Sequence, residues 1–134
     1  MNTQRIEALL AELGLRAERE DRGDAATWRA RVQFERAPRA VALLFPTKRG
    51  GLLVVSKLAS PRLRGRGVDS LPAEVLRAAV RLQSAALGAS LVELGDGAYV
   101  ACAVHRGPIL TAAILKSLIV DVAHFGEQID AALG

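Results

Sequence analysis

Two pairs of side chains have the residue types of a nucleophilic or acid–base site. Cys102 and His105 would supply a thiol and a base, but they lie three residues apart in a predicted strand, so their side chains should point to opposite faces. Asp121 and His124 lie three residues apart in a predicted helix and can touch, but they have no nucleophile nearby in the sequence. We therefore predict that the protein is not an enzyme and has no catalytic residues.

The sequence also lacks the spacing of a metal or cofactor site. Its one cysteine and two histidines are widely separated and do not have the spacing of zinc ligands. The segment 48–51 (KRGG) lacks the G-x-x-x-x-G-K-[ST] spacing of a phosphate-binding loop, and it joins two predicted strands instead of a strand and a helix. We predict no metal and no cofactor.

The basic side chains are unevenly distributed. The 134-residue chain has a formal net charge of +4, made of +7 in residues 1–66 and −3 in residues 67–134. Residues 25–66 contain ten basic side chains and one acidic one. From this segment we predict a basic binding face formed by Arg29, Arg31, Arg36, Arg39, Arg62, Arg64 and Arg66.

This basic face has two interpretations at the level of sequence. It can bind the phosphate backbone of a nucleic acid or an acidic protein. It can also be a solvated arginine surface, because 15 of the 18 basic residues are arginine, which is typical of a GC-rich coding background. Trp28 and Phe34 fall on the opposite face of their predicted strand from Arg29 and Arg31, which argues against stacking on bases.

The elements that position these residues follow from hydrophobic periodicity and turn residues. The short connections between the first four strands favour an antiparallel meander, and the Gly-Asp-Gly segment at 95–97 predicts a hairpin. We predict a single α+β domain over residues 1–134, with an antiparallel sheet, three helices and the order α-β-β-β-β-α-β-β-α. The predicted helices are 3–13, a second starting near 71, and 109–132, and the predicted strands are 15–20, 27–35, 41–45, 52–58, 90–94 and 98–105.

The last helix is apolar around most of its circumference and therefore needs cover on most sides. One sheet of a small domain covers one side only, so we predict a homodimer that buries part of this helix or an exposed sheet face. The predicted interface residues on the helix are Leu115, Ile119, Val122 and Phe125. The alternative is a monomer in which the first two helices cover the third.

Hydropathy and cysteine content indicate the compartment. No charge-free apolar run approaches the roughly 20 residues of a membrane span. The N-terminal segment carries charges within an amphipathic pattern, which is not typical of a secretory signal. One cysteine excludes a disulfide scaffold. We predict a cytoplasmic protein without a membrane partner.

Four segments have the pattern of a known family. They are IEALLAELGLRAERE, TWRARVQFE, VALLFPTKRGGLLVVSKLAS and LPAEVLRAAVRLQSAALGASLVELGDGAYVACAVH, which together span almost the whole chain. In element order and boundaries they resemble the YbjN-like family of small bacterial proteins and the related type III secretion chaperone fold. The resemblance implies an α+β fold, a homodimer and no catalytic residues.

The same resemblance implies two kinds of function. Type III chaperones of this fold bind extended segments of partner proteins, and YbjN-like proteins are described as regulators. Those chaperones are usually acidic, whereas this chain has a pI near 10.0, which leaves a general protein-binding role open. We predict a non-catalytic, dimeric chaperone-like or regulatory module of the bacterial cytoplasm that binds a partner polypeptide. The alternative is a nucleic-acid-associated protein that uses the basic region 25–66.

Overall fold

The computed structural model describes residues 2–33, 38–46, 51–58, 63, 71–73, 75–79, 89–93 and 98–132. The predicted α+β order of three helices and six strands is confirmed. The helices are α1 (Thr3–Glu12), α2 (described at residues 73 and 75–79) and α3 (Ala112–Ala132). The strands are β1 (Ala17–Arg22), β2 (Ala25–Gln33), β3 (Pro38–Pro46), β4 (Leu52–Lys57), β5 (Ser90–Glu93) and β6 (Tyr99–His105).

The six strands form one sheet in the order β1-β2-β3-β4-β6-β5, and every neighbouring pair is antiparallel. The first four strands are the predicted meander. The turn between β1 and β2 contains Gly23, whose φ of +56° is a left-handed conformation that glycine adopts readily. β6 lies beside β4, and β5 pairs with the far side of β6, so β1 and β5 are the two edge strands.

Helix α1 begins and ends close to the predicted positions. The Asn2 side chain accepts a hydrogen bond from the Arg5 backbone N–H at 2.9 Å, which satisfies one of the otherwise unpaired donors of the first turn. At the other end Gly14 has a φ of +71° and its N–H donates to the Ala11 carbonyl at 3.0 Å. This is the left-handed glycine expected just after a helix.

The two faces of the sheet differ in burial. On the inner face Trp28, Leu43 and Val54 are at most 1% exposed. α3 packs against β3, β4 and β6, and α1 packs against α3. Leu71 and Val75, at the start of α2, belong to the same hydrophobic cluster as these inner-face residues. The inner face therefore carries the core of the described part of the chain.

The predicted dimer residues on the last helix lie inside this core. Leu115, Ile119, Val122 and Phe125 are between 0% and 3% exposed in a single chain, because the sheet and α1 already cover that side of α3. Within one chain they are core residues and offer little surface to a second subunit. The exposed apolar residues of this region are Ile109, Ile114 and Val120.

A polar cluster joins α1 to the first hairpin at the sheet edge. Glu7 Oε1 accepts hydrogen bonds from the Arg19 guanidinium at 2.8 Å and from the Trp28 indole N–H at 3.4 Å. These hydrogen bonds hold the pKa of Glu7 below its ordinary value. The Arg19 guanidinium lies 5.6 Å from the centre of the Trp28 ring, so it also closes the outer edge of the core.

Among the described helices, none is long and apolar enough to cross a membrane.

Candidate protein-binding face

The outer face of the sheet, opposite α3, presents an aliphatic surface. Leu44, Leu53 and Val104 are direct cross-strand partners on β3, β4 and β6, and we call them the aliphatic row. Leu44 and Leu53 are half-buried, and Val104 is 46% exposed. β3 and β4 thus carry apolar side chains on both faces.

The outer face is more closed towards the β5 edge. Val100 and Cys102 on β6 are only 2% and 8% exposed although both belong to the outer set of their strand. Ala42 and Val55 form the pair that lies two residues along the strands from Leu44 and Leu53, and they remain half-buried. The accessible part of the face is therefore centred on β3, β4 and the end of β6.

Arg29 and Arg31 of β2 lie on this outer face, as their alternation with Trp28 and Ala30 requires. Both are exposed, and the Arg29 guanidinium is 3.9 Å from the Glu20 carboxylate, a long and solvent-exposed ion pair. Arg31 lies opposite Ala40 in the β2–β3 register. These are the two members of the predicted basic face that the structure brings together.

Two concave regions meet beside these arginines. One, of about 930 Å³, is lined by the α1–β1 connection and the middle of β2, and it includes Arg16, Arg29 and Arg31. The other, of about 410 Å³, lies at the end of the β3–β4 ladder, beyond the Ala42–Val55 pair, and includes Ala40, Val55 and Lys57. Arg29 and Ala40 line both, so the two regions adjoin at these residues. We call the combined depression the basic groove.

Arg39 does not extend this basic face. It shares the parity of Val41 and Leu43 and therefore points to the inner face, where its Nη1 lies 3.0 Å from Asp130 of α3. Its side chain is 14% exposed and that of Asp130 19%. The predicted assignment of Arg39 to a binding surface is corrected by this ion pair, which uses the guanidinium within the fold.

The same guanidinium connects β3 to β4 where their backbone pairing stops. The described ladder runs from Leu44–Leu53 to Ala42–Val55. Beyond it, Arg39 Nε donates to Ser56 Oγ at 2.7 Å and Nη2 donates to the Lys57 carbonyl at 2.9 Å. Ser56 Oγ in turn donates to the Ala40 carbonyl at 3.0 Å. Side chains thus replace the backbone hydrogen bonds at this end of the strand pair, and the groove opens beside them.

The remaining predicted arginines, Arg36, Arg62, Arg64 and Arg66, lie outside the described residues, as does Phe34. Trp28 is 1% exposed beneath Arg19 and is part of the core. Of the two aromatic side chains considered for base stacking, the described one is therefore not accessible to a ligand.

The candidate nucleophile and base are separated by the strand that carries them. Cys102 belongs to the outer face and His105 to the inner face, as their spacing predicted. Burial raises the pKa of the Cys102 thiol, which disfavours the reactive thiolate. The His105 ring Nε2 is 2.9 Å from the Ile109 carbonyl oxygen and joins the end of β6 to the segment before α3. These positions give the two side chains structural roles.

His124 is exposed on α3, and Asp121 is half-buried one turn away. Within the described residues, no three His, Cys, Asp or Glu side chains are grouped as metal ligands would be. The accessible surface therefore offers shape, apolar contacts and positive charge. Its chemical capacity is to bind another molecule through these features.

Sequence reasoning did not identify the aliphatic row or the part that Lys57 plays in the groove. The sequence contains a signal for both, because alternate residues of a strand lie on the same face. Residues 53, 55 and 57 therefore share one face of their strand, and residues 42 and 44 share one face of theirs. What the sequence could not show is the register that places Lys57 beside Ala40 and Val55. That register depends on contacts between strands and not on either strand alone.

Together, the six-stranded sheet, the helices on its inner face and the open outer face define a small α+β protein with a chaperone-like fold. The fold is similar to that of a chain in the solved structure of the HopA1–SchA chaperone–effector complex, with a TM-score of 0.61 and 16% sequence identity. The similarity covers 92% of this chain and 88% of that chain. The predicted type III secretion chaperone-like fold is confirmed at the level of architecture. No protein-family profile and no curated protein matches the sequence.

Proposed function

We propose that the protein is a non-catalytic, homodimeric, chaperone-like module of the bacterial cytoplasm that holds a partner polypeptide. The observation that carries this proposal is the chaperone-like fold, shared over 92% of the chain with a chain of a chaperone–effector complex. The accessible outer face of the sheet supports it, because aliphatic side chains exposed side by side favour contact with another protein. The regulatory role that the resemblance to YbjN-like proteins implies remains part of the same proposal.

Two features of the described strands suit polypeptide binding. β1 and β5 are edge strands with one strand neighbour each, so an extended segment can add to the sheet through main-chain hydrogen bonds. Beside β1 the outer face presents Arg29 and Arg31, and apolar side chains follow on β3 and β4. Main-chain pairing would supply affinity, and the side chains of the face would supply selectivity.

The test of the partner proposal is affinity purification from the native host, followed by reconstitution of the complex from purified components. We expect one or a few polypeptides that bind in stoichiometric amounts. Compared with the free protein, the reconstituted complex should show added protection from hydrogen exchange in β1 or β5. Repeated purification without a partner, or protection confined to α3, would contradict the proposal.

The dimer proposal now rests on the aliphatic row. Leu44, Leu53 and Val104 carry no charge, so the same patch of a second copy can face them without repulsion. The basic groove is poorly suited to self-association, since two copies would bring like charges together. We therefore place the dimer contact at the aliphatic row and not at the groove.

Val104→Glu is expected to convert the dimer into a monomer. A carboxylate buried against an apolar patch is strongly unfavourable, so the dissociation constant should rise by about 100-fold or more. The 46% exposure of Val104 leaves the subunit itself folded. Light scattering after size exclusion should give twice the 14.2 kDa chain mass for the wild type and 14.2 kDa for the variant. Ile109→Glu, at a position 70% exposed outside the strands, is the matched control and should remain dimeric.

Two results of that measurement would contradict the dimer proposal. A wild-type mass of 14.2 kDa across micromolar concentrations would show a monomer. A dimer that survives Val104→Glu unchanged would place the contact elsewhere.

One observation favours the nucleic-acid alternative: Arg29 and Arg31 are exposed in one groove. The use of Arg39 in an internal ion pair and the burial of Trp28 weaken it. Single-stranded binding is usually strengthened by stacking of bases on aromatic side chains, and among the described residues no aromatic side chain lines the groove.

A further inference from the structure

We infer that the basic groove binds an acidic, aliphatic segment of a polypeptide, in which carboxylates alternate with small apolar side chains. The inference rests on the proposed polypeptide-binding function and adds the chemistry of the partner. It uses the side chains that line the groove and not the aliphatic row, so the two surfaces can be tested separately.

Cations outnumber carboxylates in the lining of the groove. Five cations and two carboxylates line the two parts of the groove, and one of each forms the internal Arg39–Asp130 pair. Arg16, Arg29, Arg31 and Lys57 are exposed, with Glu18 as the opposing carboxylate. A ligand in the groove therefore meets a positive potential, which favours carboxylates over basic side chains.

The distribution of charge along the groove gives the ligand a preferred position. Glu18 and Glu20 lie on β1, and Glu20 is 3.9 Å from the Arg29 guanidinium. Arg31 lies one residue beyond the end of the β1–β2 ladder at Ala17–Ala30, and Lys57 lies on β4, on the other side of Ala40. The carboxylates of a bound segment are therefore expected next to Arg31 and Lys57.

The floor of the groove is aliphatic. Between the cations it is formed by Ala40, Ala42 and Val55, which are small and aliphatic. Such a floor accepts alanine or valine side chains with loss of apolar surface to water, but it offers no flat aromatic surface. Aliphatic floor and basic walls together favour a polypeptide over a nucleic acid.

The length of the groove sets the number of residues that it can hold. It crosses from β1 to β4, which is three interstrand spacings or roughly 14 Å. An extended chain advances about 3.3 Å per residue, so about four residues span that distance. A segment with two carboxylates and two aliphatic side chains has the right length to reach both Arg31 and Lys57.

The direct test is fluorescence anisotropy with a labelled eight-residue peptide that alternates valine and glutamate. We expect saturable binding that weakens as NaCl is raised from about 50 mM to about 500 mM, because exposed charges are screened. The peptide with lysine in place of glutamate should not bind, and the peptide with serine in place of valine should bind at least about tenfold more weakly. Labelled oligo(dT) and duplex DNA serve as the rival ligands.

The decisive variant carries Arg31→Glu and Lys57→Glu together. It should weaken peptide binding by at least about tenfold, since it reverses two of the four exposed cations. Arg106→Glu is the control. Lys57 pairs with Val100 at the start of β6, whereas Arg106 is exposed just after the other end of that strand. The peptide affinity of that control should equal the wild-type value.

The outcomes separate this inference from the proposed function. Absence of peptide binding, or equal binding to the wild type and the double variant, overturns the inference about the groove. Tighter binding of either nucleic acid with the same variant dependence also overturns it. A purified partner polypeptide that binds normally to the double variant would leave the chaperone-like function in place and remove only the groove.

Discussion

Asp130→Ala is expected to lower the free energy of unfolding by about 3 kcal/mol, because it leaves the Arg39 guanidinium inside the fold without its carboxylate. The two side chains are 14% and 19% exposed, so water can replace the lost partner only in part. For a chain of this size the corresponding fall in Tm is about 10 °C. Chemical denaturation followed by circular dichroism measures the free energy, and a thermal melt measures the Tm.

The magnitude follows from what Arg39 holds together. Its guanidinium contacts Ser56 and the Lys57 carbonyl on β4 as well as Asp130 on α3. Gly126 of α3 has no side chain, and a Cβ atom there would lie 2.5 Å from the guanidinium. The Arg39 side chain therefore packs directly against the backbone of α3. Loss of the carboxylate therefore affects the helix and the end of the β3–β4 pair together.

The control for this prediction is Glu127→Ala. Glu127 lies three residues earlier on α3 and is half-buried, but it is not the partner of Arg39. We expect a change below about 1 kcal/mol, as for most substitutions of partly exposed carboxylates. The Arg39→Met, Asp130→Leu double variant should recover much of the lost stability, since an apolar pair can replace an internal ion pair. If Asp130→Ala and Glu127→Ala have equal stability, the ion pair contributes nothing specific.

The elements that local chemistry determines were predicted well. Asn2 and Gly14 mark the ends of α1 because a side-chain acceptor and a left-handed glycine satisfy the backbone groups that a helix leaves unpaired. The alternation of Trp28, Ala30 and Val32 with polar residues defines β2 and its buried face. These signals lie within a few residues of one another, so a single sequence contains them completely.

Element boundaries depended on contacts that the sequence does not show. The sequence predicts that the third strand starts at Val41. In the structure β3 starts at Pro38, which lies opposite Gln33 of β2. Proline is tolerated as the first residue of a strand, where its missing N–H is not required.

The basic face was predicted from composition, and the structure describes three of its seven residues. Arg29 and Arg31 share the outer face, but Arg39 has the parity of Val41 and points inward. That parity could have been read from the sequence, whereas the partner of Arg39 could not, because Asp130 is 91 residues away. The charge of a segment thus does not determine which of its side chains face solvent.

The apolar excess of the last helix was assigned to a second subunit. The structure covers its stripe within one chain, with the sheet on one side and α1 on another. Counting the elements available to cover a helix requires the tertiary arrangement, which hydrophobic periodicity does not contain. Apolar side chains remain accessible on the outer face of the sheet, at Val104, and on the helix outside this stripe, at Ile114 and Val120.

Phe125→Ala therefore tests the core assignment against the predicted interface, and it should lower the free energy of unfolding by about 4 kcal/mol. Phe125 is 1% exposed within a single chain, so its removal leaves a cavity between α3 and the sheet. The loss should be independent of protein concentration, because the cavity lies inside each subunit. An interface residue would instead change the measured mass and make the Tm depend strongly on concentration.

Two further variants keep this test informative if Phe125→Ala does not fold. Phe125→Leu retains most of the volume and should cost about 1 kcal/mol. His124→Ala alters the neighbouring exposed position and should leave the stability within about 0.5 kcal/mol of the wild type. If the wild type is a dimer and both Phe125 variants are stable monomers, Phe125 belongs to the dimer interface and not to the subunit core. A concentration-independent loss graded from leucine to alanine would establish Phe125 as part of the subunit core, with the outer face left for partners.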